Sequence, residues 1–160
     1  MPSPQQVQRA IELLGRRSAN CSYFFGRLDD PTWIQPLSEE RMFKDPPDLV
    51  SDGEGYIRPS HIWPQADYLK RMAKKPDTSV QKQVLNIMLE IGGTNNYFIH
   101  ADFVEAALEM PADLAAQWAE QEARWLRGGN QMHGFLEKNL GKLISKLAKE
   151  GKPDVALRLA

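Results

Sequence analysis

The chain has 160 residues and a mass of 18.2 kDa, a size typical of one compact domain. Apolar residues make up 42% and charged residues 26%, as in globular proteins, and the net charge of −1 argues against polyanion binding through bulk charge. The single cysteine, Cys21, excludes a disulfide within one chain and a thiolate metal cluster.

Helical periodicity dominates the sequence. Apolar side chains recur three and four positions apart, and Pro, Gly, Asn or Asp separates one such segment from the next. Helices are predicted to begin near residues 5, 18, 62, 79, 97, 112, 131 and 154, with a further short helix around Trp33. No segment has the alternating pattern of a half-buried strand, so we expect an all-α fold.

Residues 44–60 form the long irregular stretch of the sequence. Turn-forming residues follow one another from Lys44 to Gly55, with two prolines and two glycines among them. We therefore predict a loop of about 15 residues, which is longer than the connections of a compact domain usually are. Its composition does not distinguish a functional loop from a mobile one.

The segments that follow this loop repeat. From residue 62 onward the predicted helices form pairs that start about every 34–35 residues, a period typical of an α-α superhelix, or α-solenoid. We predict about four antiparallel helix pairs, so that residues 1–160 make a single solenoid domain. The last helix, 153–160, is too short to bury a face, and we expect the chain to be the N-terminal fragment of a longer protein.

Short motifs in a distinctive order indicate the same architecture. They are Pro31-Thr32-Trp33-Ile34, Leu37, Met42-Phe43, Pro46-Pro47, Pro59, Trp63-Pro64, Tyr68-Leu69, Ala73, Thr94-Asn95-Asn96, Ala106-Ala107-Leu108-Glu109-Met110-Pro111, Trp125-Leu126, Leu143, Leu147-Ala148-Lys149-Glu150-Gly151 and Ala156-Leu157. Through them, residues 20–160 resemble the N-terminal helical-repeat region of a family of large bacterial proteins without assigned activity. The resemblance implies a HEAT-like solenoid and supplies no catalytic residue, although the Pro, Asp and Arg positions of ordinary HEAT repeats do not align here.

The sequence offers few residues for catalysis or metal binding. None of His61, His100 and His133 is at metal-ligand spacing from another, and Asp102 and Glu105 beside His100 make the single local cluster. Because helical positions two and five apart do not align, we interpret His100 as part of an exposed helix start with acidic neighbours. We expect no metal, no cofactor and no enzymatic activity.

Three other features have both a structural and a functional interpretation. We interpret residues 92–96 as a turn between helices, since they lack the strand and lysine of a phosphate-binding loop, and Cys21 as a buried, inert thiol. The aromatic residues of the first half are interpreted as core packing, with a partly exposed partner-binding patch as the alternative. They are Tyr23, Phe24, Phe25, Trp33, Phe43, Trp63 and Tyr68.

The most regular polar pattern lies in and just after the predicted helix 131–150. It is a lysine stripe made of Lys138, Lys142, Lys146, Lys149 and Lys152. At about 100° per residue the five lysines fall within an arc of about 120°, opposite a leucine face. A solvated outer face is the structural interpretation, and a contact with nucleic acid or an acidic partner is the alternative.

These observations predict a non-catalytic scaffold or protein–protein interaction module of a larger bacterial protein. A helical-repeat nucleic-acid-binding module that uses the lysine stripe is the alternative, and the accessory part of an enzyme is a weaker one. Val155, Leu157 and Leu159 predict a repeat-stacking end that allows self-association. The polar start and the short apolar runs predict a cytoplasmic protein that does not contact membranes.

Overall fold

The computed structural model describes residues 1–15, 18–49, 62–129 and 134–160, which form nine α-helices and no strand. The helices are α1 (Pro4–Leu14), α2 (Ser18–Arg27), α3 (Ile34–Glu39), α4 (Pro64–Ala73), α5 (Thr78–Ile91), α6 (Tyr97–Glu109), α7 (Ala112–Arg127), α8 (Gly134–Lys149) and α9 (Pro153–Leu159), and a 3-10 turn (Pro31–Trp33) precedes α3. The all-helical prediction is confirmed for these residues. The predicted start of α8 at residue 131 lies outside them.

The ends of the helices follow from local sequence. Ser3 accepts a hydrogen bond from the Gln6 backbone N–H while the Gln6 side chain accepts one from Ser3, which closes a capping box on α1. The side-chain oxygens of Asp77 and Asn96 cap α5 and α6. Gly92 ends α5 with a φ of +64°, which glycine adopts without a steric penalty. The segment between α5 and α6 is therefore the turn that the sequence predicts.

The helices pack in two rows. In one row α2, α4, α6 and α8 contact one another in succession, and in the other α3, α5, α7 and α9 do so. Helices adjacent in sequence connect the rows, through contacts of α4 with α5, α6 with α7, and α8 with α9. The order of these contacts places α1, which packs on α2 and α3, at one end of the rows and α9 at the other.

One apolar core runs through both rows. Its largest fully buried side chains include Phe25, Tyr68, Phe103 and Trp118. The rings of Phe25 and Tyr68 lie 5.7 Å apart, and those of Phe103 and Trp118 lie 5.3 Å apart in an edge-to-face arrangement. Aromatic pairs of this kind contribute about 0.5–1.5 kcal/mol beyond the area that they bury, so they help to fix the spacing of the helices.

Long polar side chains satisfy the carbonyl ends of neighbouring helices. Arg71 on α4 donates to the Leu28 carbonyl at 2.8 Å and to the Phe25 carbonyl, both at the end of α2. Lys146 on α8 donates to two carbonyls at the end of α6, at 2.8 and 2.6 Å. Gln81 on α5 donates to the last carbonyls of α4 and α6, at 2.9 and 3.1 Å. Since a helix provides no donors for its last carbonyls, these contacts stabilise the helix ends and the packing together.

Residues 44–49, the described part of the predicted 44–60 loop, are not helical and lie against the turn between α5 and α6. The Asn96 amide donates to the Pro47 carbonyl at 2.8 Å, and the Leu49 N–H donates to the Asn95 side chain at 3.0 Å. Residues 50–60 lie outside the described part of the chain. Within that part, no helix has the length and apolar character needed to cross a membrane.

Lys146→Met tests the contact between α8 and the end of α6. We expect this variant to lower the free energy of unfolding by about 1–3 kcal/mol, because the hydrogen bonds of a charged donor are lost. Lys142→Met, on the exposed side of the same helix, is the matched control and should change it by less than about 0.5 kcal/mol. Urea unfolding measures both values, and equal losses in the two variants contradict the role assigned to Lys146.

Candidate functional site

The five lysines of the lysine stripe have different environments in the structure: three are exposed and two bind neighbouring helices. Its exposed members are Lys138, Lys142 and Lys149. Lys146 instead donates to the end of α6, and Lys152 forms an ion pair with Asp113 on α7. The prediction that all five lysines share one face, whether solvated or bound to a partner, is therefore corrected to three exposed lysines, because two of the charges are held by α6 and α7.

The three residues of the predicted repeat-stacking end on α9 also differ in their exposure to solvent. α9 packs on α7 and α8, which buries Leu159 and leaves Val155 half-buried. Leu157 lies on another side of the helix and is 75% exposed. Since residues four apart share a helix face and residues two apart do not, these three side chains do not form one open surface. The structure corrects that prediction for Val155 and Leu159.

His100 is buried rather than exposed. Only 1% of its side chain is accessible, and its Nδ1 lies 2.6 Å from Oε2 of Glu122, a fully buried residue of α7. Asp102 and Glu105, its acidic neighbours in sequence, face Lys70 on α4 at 2.6 and 3.5 Å. The interpretation of His100 as part of an exposed acidic helix start is therefore wrong.

The hydrogen bonds of His100 determine where its protons lie. The Thr94 carbonyl is 2.9 Å from Nε2 and can only accept, so Nε2 carries a hydrogen. Nδ1 and the Glu122 carboxyl then share one further proton. Burial raises the pKa of Glu122, while the hydrogen bond and charge of His100 act in the opposite direction. The raised pKa favours the protonated carboxyl, which then donates to Nδ1 of His100.

Trp125 completes this buried cluster. Its ring stacks on His100 with the centroids 3.5 Å apart, and its Nε1–H donates to the same Thr94 carbonyl at 2.5 Å. Oε1 of Glu122 has no hydrogen-bond partner among the described residues. Because His100 and Glu122 are closed off from solvent, no substrate reaches them unless α6 separates from α7. The arrangement therefore holds these two helices together.

Metal-ligating side chains do not converge in the described ranges, where no group of three or more His, Cys, Asp or Glu residues is placed to hold a metal ion. His61 and His133 lie outside those ranges. Cys21 on α2 is half-buried rather than fully buried, and burial raises the pKa of its thiol. The reactive thiolate form of Cys21 is therefore disfavoured, in agreement with an inert thiol.

An open apolar groove of about 750 Å³ lies between α1, α2 and the 3-10 turn, and is named here the α1–α2 groove. Its apolar lining consists of Ala10, Leu13, Leu14, Tyr23, Phe24 and Trp33, and its polar lining of Ser3, Gln5, Gln6, Arg9 and Asn20. Leu13 is 61% exposed and Tyr23 is 72% exposed. A contiguous apolar surface with a polar rim is typical of an interaction site.

The aromatic residues of the first half divide between the core and this groove. Phe25, Phe43, Trp63 and Tyr68 are buried, as the core-packing interpretation predicts. Tyr23, Phe24 and Trp33 line the open α1–α2 groove instead, and for these three the partner-binding interpretation stays a prediction. The Phe24 ring contacts both groups edge to face, with its centroid 5.2 Å from Phe25 and 5.7 Å from Trp33. The core therefore supports the floor of the groove.

Leu13 lines the groove although it was not among the predicted site residues. At about 100° per residue, Leu13 points about 120° away from Val7, which lies on the buried face of α1. A large apolar side chain so far from the buried face of an amphipathic helix is a signal of a second contact surface. Nothing in the local sequence indicates that α2 supplies the opposite wall.

Two substitutions of Glu122 test the buried pair. The amide introduced by Glu122→Gln can donate to Nδ1 of His100, so we expect the unfolding free energy to fall by less than about 1 kcal/mol near pH 7. Glu122→Leu leaves Nδ1 unpaired and should cost about 1–3 kcal/mol. Glu120→Gln and Glu120→Leu, exposed on the same helix, are the controls. Equal losses in the two Glu122 variants, measured by urea unfolding, would show that the hydrogen bond contributes nothing.

The difference in unfolding free energy between the native protein and Glu122→Gln should also depend on pH, and the raised pKa of Glu122 determines its direction. Because the folded-state pKa of Glu122 is raised, the stability that this carboxyl contributes is complete below its unfolded pKa of about 4.3 and is lost as the pH rises through the folded-state value. The native protein should therefore lose stability relative to Glu122→Gln as the pH rises above the unfolded-state pKa of about 4.3. A relative gain over this interval contradicts the assignment of the proton to Glu122.

Comparison of the chain with protein-family models, with curated proteins and with solved structures finds no significant match. The resemblance to the helical-repeat region of large bacterial proteins therefore stays a prediction. The α1–α2 groove, an open apolar surface of about 750 Å³, is the feature of the chain on which a functional proposal can rest.

Proposed function

We propose that the chain is a non-catalytic helical-repeat module, an α-α superhelix, that binds a protein partner in the α1–α2 groove. The two rows support the repeat architecture, because successive helices of each row pack side by side as in stacked helix pairs. The groove supports the binding role, since it combines a continuous apolar floor with a polar rim.

The observation that carries the proposal is the exposure of Leu13 and Tyr23 in one groove. The other large apolar side chains exposed in the described residues, Met1, Ile62 and Leu157, do not line it. Burial of a leucine side chain gains about 1.5–3 kcal/mol, and aromatic side chains dominate the energetics of many interfaces. The α1–α2 groove is therefore where a partner gains most from apolar contact.

The charge of the groove favours an amphipathic helix with acidic residues beside its apolar face. A helix that lies in a groove between two helices inserts apolar residues three and four positions apart. Arg9 lines the groove, the Arg27 guanidinium lies 5.8 Å from the centre of the Tyr23 ring, and no described lining residue is acidic. Glu12, outside the lining, pairs with Arg9 at 3.4 Å, but the two side chains are 53% and 70% exposed, so the pair is weak and a carboxylate of a partner can replace Glu12. Acidic flanks on the partner would therefore be attracted rather than repelled.

Nucleic-acid binding through the lysine stripe has weaker support. The charges of Lys146 and Lys152 are already held by α6 and by Asp113. Affinity for nucleic acid depends on the number of phosphates that cations neutralise, and three exposed lysines on one helix provide few such contacts. This alternative stays a prediction from the sequence.

Leu13→Ser tests the groove with probes of defined chemistry. The probes are two synthetic amphipathic helices with leucines on one face, one with glutamates and the other with lysines on the opposite face. The native protein should bind the glutamate helix at least about tenfold more tightly, a difference of about 1.4 kcal/mol. Leu13→Ser should weaken that binding by about tenfold or more, because the burial of one leucine is lost. Fluorescence anisotropy of the labelled helices measures both effects.

Leu157→Ser is the matched control, since Leu157 is also exposed but lies on α9 at the other end of the rows. We expect it to bind the glutamate helix as the native protein does. Equal loss in the two variants, or no binding of either helix, contradicts the α1–α2 groove as the site. A preference for the lysine helix contradicts the charge assigned to the partner.

A further inference from the structure

A second open groove, of about 420 Å³, lies among α7, α8 and α9 and is named here the C-terminal groove. Its apolar lining consists of Ala123, Leu126, Leu140, Ile144, Leu159 and Ala160. Gly141 on α8 also lines it, and a Cβ at this position would meet open space. The groove is therefore a shallow apolar surface formed by three helices, at the end of the rows opposite to α1.

Side chains of opposite charge line the C-terminal groove. Arg127 on α7 and Glu137 on α8 both line it, and neither has an ion-pair partner in the described part of the chain. Arg158 on α9 lines it too, but its guanidinium already binds Glu120 at 2.8 Å. Among the described side chains that line this groove, the charges without an ion-pair partner are therefore one positive and one negative.

We propose that a second copy of this chain occupies the C-terminal groove and forms a two-fold symmetric dimer. In a two-fold interface the same patch serves both subunits, so that each contact occurs twice. A patch that carries Arg127 and Glu137 is complementary to itself, because each arginine meets the glutamate of the other copy. A partner segment with charges of one sign would face a like charge from either Arg127 or Glu137, and this repulsion disfavours its binding.

The dimer leaves the α1–α2 groove of each copy open. The two grooves lie at opposite ends of the rows, so pairing at one end does not cover the other. The C-terminal groove is small for a stable interface, and we expect the dimer to dissociate in the micromolar range. A dimer with two open grooves binds a bivalent partner more tightly than a monomer does. Dimer formation itself does not depend on the proposed function of the α1–α2 groove.

Charge reversal tests the two-fold pairing. Sedimentation equilibrium of the native protein over a range of concentrations should show a monomer–dimer equilibrium. Arg127→Glu and Glu137→Arg should each weaken the dimer by at least about tenfold, because like charges then face each other twice. The variant that combines both substitutions should restore the dimer to within about threefold of the native dissociation constant, since the opposite charges meet again.

Gly141→Gln separates loss of the dimer from loss of the fold. A glutamine side chain at this position fills the C-terminal groove and also has a higher helix propensity than glycine. We expect this variant to unfold at a higher urea concentration than the native protein and to be monomeric. No fault in folding can produce that combination, because it pairs higher stability with lost association.

Three outcomes overturn the proposal. They are a native protein that stays monomeric at all concentrations, single charge reversals that leave the dimer unchanged, and a combined variant that is as weak as the single ones. Leu13→Ser should leave the dimer intact, because Leu13 lines the other groove. Loss of helix binding in Leu13→Ser together with a native dimer therefore distinguishes a failure at one groove from a failure at the other.

Discussion

The carbonyl groups at the end of each helix have no donors within that helix, and this constraint accounts for the polar contacts that hold the rows together. Arg71 and Lys146 supply donors from the next helix of the row, so the contacts that complete α2 and α6 also hold α4 and α8 beside them. The amide of Gln81 donates hydrogen bonds to the last carbonyls of both α4 and α6. Because a side chain of fixed length reaches these carbonyls from few positions, such contacts keep the helix ends of a row in register. Apolar packing is less directional and does not set this register.

The buried cluster around His100 joins the rows in a different way. One backbone atom, the Thr94 carbonyl, accepts hydrogen bonds from His100 on α6 and from Trp125 on α7. The proton that His100 shares with Glu122 adds a second connection between the same two helices. Buried polar groups are tolerated when they find partners, and most atoms of this cluster do. α8 and α9 pack on α6 and α7, so the C-terminal groove depends on the geometry that the cluster fixes.

The sequence predicts the helices well because their signals are local, whereas the contacts of polar side chains depend on residues far away in the chain. Lys146 looks like any other member of a solvated stripe, and its carbonyl partners lie 36 and 38 positions earlier. Glu122 does carry a local signal of burial, since it follows Trp118 by four positions and therefore lies on the apolar face of α7. Its partner, His100, could be identified only once α6 and α7 were known to pack together.

A net charge close to zero does not predict what a given surface binds, because binding depends on which charged side chains lie at that surface. The α1–α2 groove has an arginine and no carboxylate among its described lining residues, so it favours an occupant of the opposite sign. The C-terminal groove carries Arg127 and Glu137 together, so it favours its own copy. Glu137 would also repel the acidic helix that suits the first groove. The two surfaces therefore need not compete for one partner, although both are apolar and both belong to a chain of balanced composition.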